Sequence, residues 1–150
     1  SGHGGISYLF WLDKFNVINV DPFNRFNYSR YSIEKFSDLS KINKKIDFFY
    51  SSHSLEHVSN LEKTLNKIDE LLNINGYLFF EVPNAMNPEN GGINGKIVPP
   101  HTYYFKKSFF EKLKYKMLFC EIYKQDEFIA TKSDREDSGE IIRYLGKKIK

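Results

Sequence analysis

The chain has 150 residues, with 22 Lys and Arg against 19 Asp and Glu for a net charge of +3, and it is rich in Phe (14) and Tyr (10). That length suits one domain with ample core material, and lysines scattered among acids point to neither a nucleic-acid groove nor a membrane patch. The single cysteine, Cys120, forbids an intrachain disulfide and fits a reducing, cytoplasmic setting. No apolar run approaches the ~20 residues that span a bilayer, and nothing resembles a signal peptide.

In chain order, Ser1-Gly2-His3-Gly4-Gly5 puts three glycines in five residues. Ile6, Leu9, Phe10 and Leu12 then share a helical face, and Asn16 to Val20 is a short strand ending in Asp21-Pro22. A glycine loop, a helix, a strand and a terminal acid make half of a nucleotide-binding unit. Glycines admit a ligand close to the backbone, the helix amino end offers N–H groups, and the acid can take two ribose hydroxyls. A loose chain end before an ordinary helix, with a turn-forming Asp-Pro, suits the same residues. Phe23 to Arg30 is irregular, Tyr31 to Phe36 reads as a short edge strand, and Ser37-Asp38-Leu39 starts a brief turn or helix.

The central stretch runs from Ile46 to Asn84. Ile46 to Tyr50 is apolar, as expected of a strand buried on both faces. Ser51 to Val58 is a polar loop with His53, Glu56 and His57. Leu61, Leu65, Ile68, Leu71 and Leu72 recur at helical spacing over about four turns. Asn73 to Gly76 stops that helix, and Tyr77 to Val82 is a second buried strand. Strand, helix and strand predict a parallel crossover whose ligands meet the carboxyl ends of the strands, at SSHSLEH and PNAMNPENGG. Residues 84–100 form a long loop with three prolines and three glycines. His101 to Phe105 leads into a helix over Lys107–Lys116, followed by an antiparallel pair, Leu118–Tyr123 and Glu127–Thr131. The segment 132–150 reads as a charged tail with a terminal helix over Gly139–Lys147.

These pieces together resemble a class I S-adenosylmethionine-dependent methyltransferase of the small-molecule type, over about residues 1–131. SGHGG is similar to the end of that family's glycine motif, with Gly2 and Gly4 as its last two glycines. Asp21 stands where the family's ribose-binding acid stands, and Asp38 near its adenine-reading position. SSHSLEHV is similar to the segment after the fourth strand, which implies that Ser52 and His53 line the cofactor pocket. Asn75-Gly76 before YLFFEVPN, and HTYYFKKSFFEKL before a strand pair, complete the likeness. The resemblance implies a three-layer Rossmann-like α/β fold, a mostly parallel sheet with an antiparallel C-terminal hairpin, and S-adenosylmethionine as cofactor. Family members carry a hydrophobic strand before the glycine motif, so 1–150 reads as one N-terminally incomplete domain. An edge left open there favours a homodimer.

The chemistry expected is methyl transfer to a small-molecule acceptor, which needs alignment of methyl and nucleophile, and a base for a hydroxyl acceptor. His57 and His101, in loops at the carboxyl edge, are the candidate bases. Helix capping or packing beside Val58 is the structural account of His57, and capping that of Asp38. Three rivals remain. A catalytically inactive methyltransferase-like domain could serve as a binding or scaffold module. His53-Ser54-Leu55-Glu56-His57 matches H-x-x-E-H, the pattern of an inverted zinc peptidase. A nicotinamide-dependent enzyme also has an acid after its second strand, but not the C-terminal hairpin.

Overall fold

The computed structural model describes residues 4–23, 31–87, 101–125, 130–132 and 139–150. Gly2, most of the long loop after Asn87 and the connection inside the C-terminal strand pair lie outside these residues.

The predicted crossover is present. β3 (Ile46–Ser52), α2 (Leu61–Leu71) and β4 (Leu72–Pro83) follow one another, and β3 pairs parallel to β4 from Phe48↔Tyr77 to Ser52↔Glu81. The Asn60 side chain caps α2 by accepting from the Lys63 N–H at 2.8 Å. Eleven residues give α2 about three turns rather than four. Ile68 and Leu71 face the core, while Lys67 and Glu70 pair in solvent at 2.8 Å. The turn beyond α2 uses Asn75 at φ 68°, a conformation that Asn tolerates. Gly76 is then required: a Cβ there would meet the Asn73 carbonyl at 2.8 Å.

Upstream, α1 (Gly5–Leu12) leads to β1 (Ile18–Val20), which pairs parallel with β2 (Glu34–Phe36). These two strands form a sheet of their own. A 3₁₀ turn at Leu39–Lys41 precedes β3. Aromatic contacts join α1 to β3: Phe10 lies edge-on to Phe48 at 5.8 Å and to Tyr50 at 6.0 Å.

The main sheet has five strands in the order β3-β4-β7-β5-β6, with β5 at Lys116–Gln125, β6 at Ala130–Lys132 and β7 at Ile141–Lys147. β7 runs antiparallel to both β4 and β5, and β6 runs antiparallel to β5. The result is an α/β fold with a parallel β1–β2 pair and a separate mixed sheet, parallel at β3–β4 and antiparallel at the carboxyl end. The core gathers Leu78, Phe80 and Val82 of β4 with Ile142 and Tyr144 of β7, Ile122 of β5 and Phe110.

Three expectations are corrected. The segment expected as a terminal helix over Gly139–Lys147 is strand β7, inserted between β4 and β5. Its Ile142, Tyr144 and Gly146 are buried at alternate positions, and Gly146 in a helix interior would cost about 1 kcal/mol. A Cβ on Gly146 would also reach 2.5 Å from the Tyr144 hydroxyl. The helix expected over Lys107–Lys116 is α3, Lys107–Glu111 only, because Lys116 already opens β5. β3 is not buried on both faces. Phe48 is 43% exposed, since among the described residues β3 ends the sheet.

Asp69 clips α2 to the carboxyl-terminal strands. Its Oδ2 lies 2.7 Å from Lys114 Nζ, and Oδ1 lies 3.5 Å from Lys148 Nζ. Burial alone would raise this carboxyl, but the Lys114 bond and the two ammonium charges outweigh burial and hold it below its ordinary 3.8. A depressed carboxyl contributes stability above its unfolded pKa and loses it as pH falls through the folded one. Urea midpoints are therefore expected to fall below about pH 4, and Asp69→Asn to flatten that acid limb.

Candidate functional site

The carboxyl edge is built from two sides. On the first, Ser7 in the opening turn of α1 donates to Asn19 Oδ1 of β1 at 2.9 Å, and both residues are buried. This bond places the start of α1 beside the end of β1. Gly4, three residues before Ser7, therefore shares an edge with Asp21, two residues after Asn19. Gly4 caps α1 at φ 73°, a left-handed conformation that glycine adopts without strain. Asp21 is 6% exposed. Its Oδ1 accepts from the Phe23 N–H at 2.9 Å, so the Asp-Pro turn is present. Asp38 caps the 3₁₀ turn, accepting from the Ser40 N–H at 2.7 Å, and hydrogen bonds from the Ser40 side chain and then from this N–H hold its carboxyl below the usual range.

On the second side, β3 ends at Ser52, whose hydroxyl donates to Glu81 Oε1 at 2.7 Å. Arg143 of β7 donates to Glu81 Oε2 at 2.6 Å. Burial pushes the Glu81 carboxyl up, but the Ser52 and Arg143 bonds outweigh it and keep Glu81 an anion. His53 follows at φ 46°, a strained conformation for a side-chain-bearing residue and one that clusters at functional sites. Its N–H donates to the Glu81 carbonyl at 2.9 Å. Its ring lies between two acids, with Nδ1 3.7 Å from Glu56 Oε1 and Nε2 3.7 Å from Glu81 Oε1. The Glu56 carboxylate is the main cause that raises the His53 pKa.

The loop continues as a 3₁₀ turn over Leu55–His57. Glu56 is 1% exposed, and among the described residues neither of its carboxylate oxygens has a hydrogen-bond partner. Its backbone carbonyl accepts from the N–H groups of Thr102 and Tyr103 at 2.8 and 3.1 Å. The Tyr103 hydroxyl in turn accepts from the Leu61 N–H at 3.2 Å. These bonds bring His101 onto the loop after β3, its ring edge-on to His57 at 4.9 Å. Desolvation lowers the His101 pKa.

Ser52, His53, His57 and His101 thus form one constellation, while Gly4 and Asp21 flank the Ser7–Asn19 bond between α1 and β1. Gly2 lies outside the described residues. Three further members are Glu56, Glu81 and Arg143. Glu81 left a trace in the sequence as the one acid inside the apolar run YLFFEV. Arg143 was masked by the helical reading of its segment. A cavity of about 540 Å³ lined by Lys45, Asp47, Asn73 and Lys148 opens at the amino end of β3 and takes no part in this edge.

The inverted zinc-peptidase reading is not supported. H-x-x-E-H needs both histidines on one helix, whereas His53 follows the end of β3 in the left-handed region and His57 closes a 3₁₀ turn.

Known structures share this architecture. TehB from Haemophilus influenzae superposes with a TM-score of 0.64 at 18% identity, covering 95% of this chain and 53% of that one. A protein from Thermotoga maritima, described as a S-adenosylmethionine-dependent methyltransferase and possible histamine N-methyltransferase, gives 0.62 at 13% identity, covering 97% and 78%. A S-adenosylmethionine-dependent methyltransferase from Archaeoglobus fulgidus gives 0.60 at 19%, covering 97% and 81%. The chain therefore spans about half the length of the first of these and about four fifths of the others. No curated protein matches it in sequence. The sequence profile of the methyltransferase domain matches residues 1–119, and the chain belongs to that methyltransferase-domain family.

Proposed function

We propose that this chain is a S-adenosylmethionine-dependent methyltransferase domain acting on a small-molecule acceptor. The observation that carries the reading is the buried Ser7–Asn19 bond, which supports a shared edge for the left-handed Gly4 and the strand-end acid Asp21. That donor set fits the cofactor. Gly4 admits it close to the backbone, the start of α1 offers N–H groups, and Asp21 accepts from two ribose hydroxyls. When bound, the cofactor supplies an electrophilic methyl carbon on a sulfonium, and in-line displacement leaves the bonding electron pair on sulfur.

The chain's own residues do the rest. Ser52 and His53 line the middle of the edge, held by the Glu81–Arg143 pair. His57 and His101 stand on the acceptor side, where methyl transfer to a hydroxyl needs a route for its proton. Calorimetric titration of S-adenosylhomocysteine tests the reading. One-to-one binding is expected. Absence of binding by the folded chain would replace the enzyme with a methyltransferase-like binding module.

A further inference from the structure

The buried Glu56 carboxylate has two imidazoles at ion-pair distance but, among the described residues, no hydrogen bond. Burying an ionised carboxylate is tolerated when it is paired and hydrogen-bonded, or when it coordinates a metal. Here both oxygens are buried and, among the described residues, without a hydrogen bond. A protonated imidazole satisfying a carboxylate stands about 2.8 Å from it. The two imidazoles beside Glu56, Nδ1 of His53 and Nε2 of His57, both stand at 3.7 Å. That is too long for a proton to be shared.

The spacing suits a metal ion better. One ligand atom each from Glu56, His57 and His101 lies within 4.8 Å of the other two. Metal–ligand bonds near 2.1 Å in a tetrahedral site put ligand atoms about 3.4 Å apart, so the 3.7 Å between Glu56 and His57 is almost there. His101 needs to close by at most about 1.4 Å by side-chain rotation. The backbone is already fixed for this, because the Glu56 carbonyl holds the N–H groups of Thr102 and Tyr103, the two residues after His101. His53 stands behind the carboxylate and links it to Glu81, as an outer-shell partner orients a ligand.

We propose that Glu56, His57 and His101 bind one divalent transition-metal ion at the acceptor side of the site. Two imidazoles and a carboxylate are a ligand set for zinc or iron(II), with coordination positions left open toward solvent. The inference rests on the methyltransferase reading only for its role. An ion here takes the acceptor through an oxygen and lowers the pKa of its hydroxyl, so that its proton leaves to water. The two histidines then act as ligands rather than as proton acceptors. The peptidase pattern differs: it makes His53 a ligand and Glu56 a base.

Chelator-treated chain titrated with Co²⁺, followed by visible d–d absorption, tests the site. One Co²⁺ per chain is expected, displaced by Zn²⁺, with affinity at least about 100-fold lower in Glu56→Gln and His101→Ala. Asp69→Asn, at the far end of α2, is expected to bind as the parent does. If Glu56→Gln does not fold, His57→Ala and His101→Ala decide, since their rings reach the surface. No stoichiometric uptake, or undiminished binding by His101→Ala, overturns the site. Titration with S-adenosylhomocysteine separates the two readings. Cofactor binding without metal uptake refutes the ion and keeps the enzyme, whereas metal uptake without cofactor binding keeps the ion and refutes the enzyme.

Discussion

Phe80→Ala is expected to lower the free energy of unfolding by about 3–5 kcal/mol, the range for removing a fully buried aromatic ring. Phe80 is 0% exposed at the middle of β4, the strand between β3 and β7. Its ring lies 6.0 Å from Phe49, 6.0 Å from Phe110 and 6.4 Å from Tyr144, so the cavity would open among three elements at once. The loss combines the transfer free energy of the ring with the contacts its lining atoms forfeit. Phe80→Leu keeps much of the volume and is expected to cost less than about 1.5 kcal/mol. Phe48→Ala, the same residue type on the neighbouring strand but 43% exposed, is expected to cost about 1 kcal/mol. Urea unfolding of the three variants measures the differences. Equal losses for Phe80→Ala and Phe48→Ala would show that strand propensity, and not burial, sets the stability of this sheet.

The contrast between Phe48 and Phe80 also shows where sequence reading stops. Both sit in short apolar runs, and local pattern cannot tell a strand covered on both faces from one that ends a sheet. Neighbours distant in the chain decide that. The helix α2 was legible because Leu61, Leu65, Ile68 and Leu71 follow its 3.6-residue period and Asn60 caps it. The parallel β3–β4 pair then followed from the length of the crossover. β7 was not legible. Ile141, Ile142, Tyr144 and Leu145 fit one helical face as well as a strand, and only the groove between β4 and β5 selects the strand.

The site divides in the same way. Histidines in a polar loop after a buried strand announce themselves, and His53, His57 and His101 were found for that reason. Their convergence was less visible, because His57 and His101 are 44 positions apart and are joined by backbone bonds to the Glu56 carbonyl. The burial of Glu56 was not legible. Glutamate in a loop is ordinarily solvated, and nothing local to Ser54-Leu55-Glu56 signals a side chain 1% exposed. Asp38 shows the reverse. Its capping role was legible from Ser-Asp before a turn, and the structure makes that bond to Ser40.

Substitutions at Asp21 are expected to separate its role in the turn from the binding role proposed for it. Asp21→Asn keeps an oxygen for the Phe23 N–H, so the turn persists and stability changes by less than about 0.5 kcal/mol. It loses the charge that would strengthen the proposed bonds to two ribose hydroxyls, each worth about 1.5–3 kcal/mol to an ionised acceptor. Affinity for S-adenosylhomocysteine is expected to fall about 10-fold or more. Asp21→Ala removes both hydroxyl bonds and the turn. Its affinity is expected to fall about 100-fold or more, with roughly 1 kcal/mol of stability lost besides. Calorimetric binding and urea unfolding on the same two variants distinguish the outcomes. If Asp21→Asn binds as tightly as the parent while Asp21→Ala is merely less stable, Asp21 is a turn residue and the ribose lies elsewhere. If Asp21→Asn loses affinity at full stability, the carboxylate charge is what the ligand meets.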